Sequence, residues 1–352
     1  MRFFTEKDEN FQVRKKRSIF IPIILLLSLL LALVTPLPYV LFRPGNPENV
    51  LKSMIKVPSE FSAIDQENFD QSGRLYMTSI LVTNPDSRIF ALELIRAWIR
   101  SDEIIVPRES IFPKDQDPKE IKAQEAQQMV NSQERAIYSA LTYLGYKIPT
   151  KVIVTGTLKA SKARKILLPG DEIVKINGAE IFTSDEIISL IRKKSVGEKI
   201  TVEVNRKGQI LELPAIELIQ NSAGAAVGVF LKMEFAFPLD IDIAIEDVGG
   251  PSAGMIFALG IIEKLSAEDF LRGRKVAGTG SINLQGEIGA IGGIDSKLIG
   301  AGRKGATLFL APAANCKDIT QIPDGVQVLA VRSLSEAVEL LRMADPAKAR
   351  GC

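Results

Sequence analysis

The chain has 352 residues, 46% hydrophobic and 24% charged, the balance of folded protein rather than of disorder. It has no histidine and two cysteines, which excludes Ser-His-Asp and Cys-His catalysis, histidine metal sites and a four-cysteine cluster. The formal net charge is +2, of which residues 1–18 carry +3; a near-neutral remainder argues against nucleic acid as the main partner.

Basic residues Arg14–Arg17 are followed by Ile19–Phe42, 24 residues without a charge. A helix of that length spans roughly 36 Å, more than the ~30 Å hydrocarbon core. A cleaved signal peptide has an apolar run of only about 7–15 residues and a small-x-small cleavage site; here the run is longer and no such site follows. The reading is an uncleaved transmembrane anchor over 19–42, after a cytoplasmic tail over 1–18. The positive-inside rule places the rest outside the cell membrane. Residues 43–71, with Pro44, Pro47 and Pro58, read as a tether with short strands.

Leu75–Val82 reads as a strand, Asp86–Arg100 as a helix and Lys119–Gly145 as a long helix ending on its glycine. Lys147–Leu218 is strand-rich. From Val227 strands and helices alternate: strands at Asp240–Glu246, Val276–Ile282, Thr307–Ala311 and Gln327–Val331, helices at Ala253–Leu265, Asp295–Arg303 and Leu334–Met343. The whole predicts an α+β protein of mixed sheets and helices.

Three stretches carry chemistry. Leu167-Leu168-Pro169-Gly170-Asp171-Glu172-Ile173-Val174-Lys175-Ile176-Asn177-Gly178 is a turn, an apolar strand and a tight Asn-Gly turn. A helix over Thr183–Lys194, capped by Thr183 or Ser184, and a strand over Lys199–Asn205 follow. Gly249-Gly250-Pro251-Ser252-Ala253-Gly254-Met255 leads into an apolar helix and so sets Ser252 at a helix N-terminus, where free N–H groups and the positive dipole end suit an oxyanion. Serine is also a common helix cap, so this stretch alone does not make a nucleophile. Gly292-Gly293-Ile294-Asp295-Ser296-Lys297-Leu298 is a glycine turn into a helix whose apolar stripe runs through Ile294, Leu298 and Ala301. Lys297 points along that stripe; burial would favour its neutral amine, which can accept a proton. A lysine stem can also cover apolar surface while its head reaches water.

The first stretch resembles the PDZ domain, which binds extended peptides by strand addition; the resemblance implies a peptide groove that includes Ile187, Ile191, Val227 and Val229. The other two, 45 residues apart from Ser252 to Lys297, with Thr279-Gly280-Ser281-Ile282-Asn283-Leu284-Gln285-Gly286 between them, resemble the proteolytic domain of Lon-type proteases. That implies Ser252 as nucleophile, Lys297 as general base, Thr279 as a support beside the lysine, and backbone N–H groups of Ser252 and Ala253 as the oxyanion hole. The arrangement is similar to membrane-anchored, PDZ-containing Lon-like serine proteases of bacteria, which share the anchor, the PDZ module and the late Asn315-Cys316.

The expected organisation is the first part of the protease domain over 72–147, a PDZ domain over 148–224 inserted into it, the catalytic part over 225–345 and a tail over 346–352. No phosphate-binding G-x-x-x-x-G-K-[ST] exists, so neither ATP nor any other cofactor or metal is expected. Gly300–Gly305 fits G-x-G-x-x-G at a helix end, and Ser53–Lys56 fits S-x-x-K without a partner motif; both read as chance. Asp240, Asp242, Glu246 and Asp247 could suggest a cation site, but the even spacing of Asp240, Asp242 and Glu246 reads more simply as the polar face of a strand. Cys316 and Cys352 are open between a disulfide and free thiols. The expected partners are polypeptide substrates and the membrane, with a homo-oligomer left open. The alternative function is a non-catalytic, membrane-tethered peptide-binding chaperone or scaffold.

Overall fold

The computed structural model describes residues 20–28, 30–61, 73–84, 87–100, 102–113, 117–245, 248–349 and 351–352. Its larger unit is built on a five-stranded sheet in the order Glu48–Asn49, Arg74–Met77, Lys275–Gly278, Leu308–Pro312, Gln327–Val331. The last four strands are parallel, and Glu48–Asn49 runs antiparallel at the edge. Side chains alternate across a sheet, and here the alternation feeds two cores. Leu75, Met77, Val276, Leu308, Leu310, Leu329 and Val331 pack on the side of the helix Gly254–Leu265. Tyr76, Ala277, Phe309, Ala311 and Val328 pack on the side of the helix Ile294–Arg303. Strands buried on both faces read as continuous apolar runs, as Leu308–Ala311 does.

The helix Gly254–Leu265 is buried all round from Gly254 to Lys264. The long helix Pro118–Tyr143 lies against it, contributing Met129, Ala136, Ile137, Ala140 and Leu141 to the same core. That long helix is capped by Asp117, whose carboxylate accepts from Lys119 N, with proline in the first turn.

The smaller unit is an antiparallel sheet in the order Gln209–Glu217, Lys199–Arg206, Glu172–Ile176, Thr150–Thr157, Val229–Phe235. The helix Ser184–Arg192 buries Ile187 and Ile191 on it. Thr183 caps this helix in a reciprocal box with Glu186. Asn177 and Gly178 both take positive φ, 48° and 79°, as a two-residue hairpin turn demands. Asp171 of the Pro-Gly-Asp turn accepts two bonds from Arg206, at 2.7 and 2.8 Å.

Several expectations change. Within the expected anchor over 19–42, residues 20–28 and 30–34 are helical, and among the described residues no helix is long and apolar enough to cross a membrane. The helix stops before Pro36. Leu37 bridges Ile89, and Tyr39–Pro44 is the central strand of a sheet with Ile80–Val82 and Ile104–Pro107. Ile19, Leu29 and the tail 1–18 lie outside the described residues.

The segment 43–61 is no tether: Val50, Leu51, Met54 and Ile55 are buried in the main core, so its prolines mark turns between short packed elements. Residues 62–72 lie outside the description. The smaller sheet extends past 224, because its edge strand is Val229–Phe235. The final residues are no free tail: Cys352 is disulfide-bonded to Cys316, and Gly351 bridges Leu329. Among the strand expectations, Val276–Ile282 divides at Thr279 into Lys275–Gly278 and Ser281–Ile282, and Asp240–Glu246 is reduced to Asp242–Ile243; Glu246 and Asp247 lie outside the described residues.

Candidate active site

The two helices that the sequence singles out lie on opposite faces of one sheet, yet their functional ends meet. They meet just past the C-terminal end of the strand Lys275–Gly278, where the chain leaves the sheet as Thr279-Gly280. In open parallel sheets this is where binding crevices form, because neighbouring connections depart to opposite faces.

Ser252 sits in the turn two residues before the helix Gly254–Leu265. Its carbonyl accepts from Gly280 N at 2.8 Å and from Thr279 Oγ1 at 2.9 Å, while Met255 N donates to Gly280 O at 3.0 Å. The serine turn is thereby bonded on both sides to the strand end. From the other direction, Ser132 Oγ of the long helix donates to Pro251 O at 3.1 Å, and Gly250 N to Glu125 O at 2.9 Å. Gly254 is where the elements crowd: a Cβ there would lie 2.8 Å from Ile282 Cγ2 and 2.9 Å from Ser132 Oγ. A side chain at this position would push the serine turn off its two supports.

Lys297 enters from the other face. Gly293 takes φ +70° to start the helix, and a Cβ there would be 3.1 Å from Ile80 Cγ2. Lys297, 3% exposed, places Nζ 2.8 Å from Ser252 Oγ and 3.0 Å from Thr279 Oγ1. The Thr279 hydroxyl accepts from the lysine and donates to the Ser252 carbonyl, so one side chain sets both partners. Burial lowers the Lys297 amine from 10.5 to about 8, because a charged ammonium loses hydration there. An amine of this kind, hydrogen-bonded to a serine hydroxyl, has the parts of a nucleophile and its base.

Ser252, Lys297 and Thr279, named from the sequence, thus lie together, with Ala253 buried at the same turn. Ile187, Ile191, Val227 and Val229 line one groove of about 330 Å³ between the helix Ser184–Arg192 and the edge strand. Sequence reasoning missed three supports. Ser132 is one. Asn315 is the second: its side chain accepts from Ile291 N at 2.9 Å and donates to Ile291 O at 3.0 Å, fixing the loop before the lysine helix. Asp295 is the third, accepting from Thr320 N at 3.0 Å and Thr320 Oγ1 at 2.5 Å. All three act across 24 to 119 residues of sequence, so local pattern names Asn315 and Asp295 only as members of motifs and shows no partner for any of the three. Among the described residues no group of His, Cys, Asp or Glu is arranged to hold a metal ion.

Comparison with known proteins finds both kinds of domain. Residues 242–345 match the Lon protease (S16) C-terminal proteolytic domain, and residues 128–216 match the PDZ domain. A Lon protease 2 of Herpetosiphon aurantiacus is 34% identical over 116 residues, 31% of this chain and 14% of that protein. Lon protease 1 of Bacillus subtilis is 24% identical over 325 residues, 80% of this chain and 41% of that protein. The PDZ domain of an SdrC-like protein from Listeria innocua is 26% identical with a TM-score of 0.22, covering 23% of this chain and 92% of that one. The chain spans less than half the length of these two Lon relatives. It carries a Lon-type proteolytic domain, which is of the serine-type peptidase class, and a PDZ domain.

Proposed function

We propose that this chain is a membrane-anchored, ATP-independent serine endopeptidase that cleaves extracytoplasmic or membrane-associated polypeptides with a Ser252–Lys297 dyad. The observation that carries the reading is the 2.8 Å bond between the buried Lys297 amine and Ser252 Oγ. Neutral Lys297 takes the hydroxyl proton as Ser252 attacks the peptide carbonyl. Backbone N–H groups of Ser252 and Ala253, at the positive end of the helix, stabilise the oxyanion. Protonated Lys297 then donates to the leaving amine, and water resolves the acyl-enzyme. Thr279 holds the lysine on line.

The PDZ unit supplies peptide capture. Its groove is lined by alanines, isoleucines and valines, with Arg192 the charged member. We read this unit as inserted into the proteolytic domain, since the main sheet takes strands from 48–77 and again from 275–331. Two features support membrane anchoring. The apolar side chains of residues 20–28 and 30–34 are largely exposed to their surroundings, and the helix Ala91–Ile99 turns Leu92, Ile95, Trp98 and Ile99 outward, Trp98 being 81% exposed. Apolar surface of that extent needs an apolar neighbour. ATP independence rests on the missing phosphate-binding motif.

The test is labelling of the full chain with a fluorophosphonate, with cleavage of an unfolded protein measured alongside, for wild type and Ser252→Ala. The reading requires wild type to label and cleave and the variant to do neither. A silent wild type that still binds peptide would make the chain a non-catalytic peptide-binding module. Anchoring is tested separately by carbonate extraction of membranes, which must leave the chain in the pellet.

A further inference from the structure

The strand Val229–Phe235 pairs with Thr150–Thr157 on one side and stands last in the order of its sheet. Its other row of backbone N–H and C=O groups is therefore placed for an added strand. At roughly 3.3 Å per residue its seven residues run about 23 Å. They border two hollows in succession. Residues up to Leu231 line the peptide groove. Leu231 to Phe235 line a second hollow of about 600 Å³, whose far wall is the long helix at Val130, Asn131 and Glu134. Leu231 belongs to both. Val130 in turn borders a third hollow, of about 740 Å³, that reaches Gly249, three residues before Ser252. Val130 is 45% exposed, an apolar side chain on an otherwise polar stretch of helix surface, standing between the second hollow and the third.

We propose that these hollows form one binding track for an extended polypeptide, which pairs with the edge strand, crosses the long helix at Val130 and Asn131, and arrives at the Gly249–Ser252 turn. This rests on the peptidase reading and adds the route to it. The occupant is an unfolded segment, because an edge strand is satisfied only by extended backbone. The same helix donates Ser132 Oγ to Pro251 O, so the element the substrate crosses is also the one that seats the nucleophile turn.

The experiment uses the full chain with Asn131→Trp, which fills the crossing from an exposed position, and Gln128→Trp as its control, an exposed position on the same helix that lines none of the three hollows. Two rates are compared: cleavage of fluorescein-labelled unfolded casein and reaction of Ser252 with a small fluorophosphonate that needs no groove. The ratio of the first to the second should fall at least ~10-fold in Asn131→Trp, as misplacing a substrate does, and stay within about twofold of wild type in Gln128→Trp. An unchanged ratio in Asn131→Trp overturns the track. The second arm needs no catalysis. In Ser252→Ala, Asn131→benzoylphenylalanine should photo-cross-link casein as Phe230→benzoylphenylalanine in the groove does. Cross-links from position 230 without any from position 131 also overturn it. A wild type that neither labels nor cleaves sinks the peptidase reading, while the cross-links still report whether polypeptide occupies the crossing.

Discussion

Lys297 and Lys264 are almost equally buried, 3% and 5% exposed, and burial lowers both amines from 10.5 to about 8. Their neighbourhoods differ. Lys297 is bonded to Ser252 Oγ and Thr279 Oγ1 at the N-terminal end of the serine helix. Lys264 lies in the last turn of that helix, roughly 15 Å further along its axis at 1.5 Å per residue. Beside it, Glu263 is pushed up to about 9, by burial first and by neighbouring Asp269 second. The C-terminal end is thus a buried region with a carboxyl held protonated at neutral pH, and it has no part in the dyad. Desolvation makes an amine able to give up its proton; only a neighbour with a proton to hand to its lone pair makes the amine a base.

The largest effect that could break this contrast is on activity. Lys297→Arg keeps the charge but cannot deprotonate, and peptide cleavage should fall by about 10²–10⁴, while Lys264→Arg should stay within about threefold of wild type. Comparable losses in both variants, with both proteins folded by circular dichroism, would erase the distinction.

Stability should move the other way. Lys297 has a lower pKa folded, about 8, than its ordinary 10.5, so below about pH 8 the folded state carries a charge it holds poorly. That penalty is fully present below pH 8, shrinks as pH rises towards 10.5 and is gone above it. Lys297→Met should therefore raise the unfolding free energy at pH 7 by up to about 3 kcal/mol, the gain fading at pH 10. Denaturant titrations at the two pH values measure it; a gain that grows with pH would reverse the assigned sign.

The pH profile sharpens the comparison further. For a small peptide substrate kcat/KM should climb about tenfold per pH unit below the lysine pKa and level off above about pH 8. Lys264→Met should leave the midpoint where it is. A midpoint that follows Lys264 would assign the titration to the wrong end of the helix.

The smallest effect concerns the seat of the nucleophile. Ser132→Ala removes the bond to Pro251 O, worth about 1 kcal/mol, and should lower kcat about fivefold with KM little changed. An equal loss of thermal stability with kcat intact would make Ser132 a packing residue only.

The sequence by itself determined most of the elements that carry the site. A serine at a glycine-rich helix start and a lysine on an apolar stripe each have an ordinary structural reading, so their pairing was legible only as what the resemblance to Lon-type proteolytic domains implies; both lie on the elements that local pattern placed. The Pro-Gly-Asp and Asn-Gly turns and the Thr183 cap are equally local, because a turn or a cap is satisfied by residues within a few positions. Tertiary structure decided the rest. Val50, Leu51, Met54 and Ile55 are core residues in a segment whose prolines suggest a tether, since burial depends on what folds back over a segment and not on the segment. The strand ending at Gly278 yields to Thr279 because its carbonyl partner Leu310 and its hydroxyl partners Ser252 and Lys297 come from three separate stretches. Cys316 and Cys352, 36 residues apart, were undecidable until the C-terminal residues were seen to run beside the strand Gln327–Val331. Ser252 and Lys297 belong to elements on opposite faces of one sheet; the contact between them exists because both helices reach past the same strand end, which the local pattern of neither helix shows by itself.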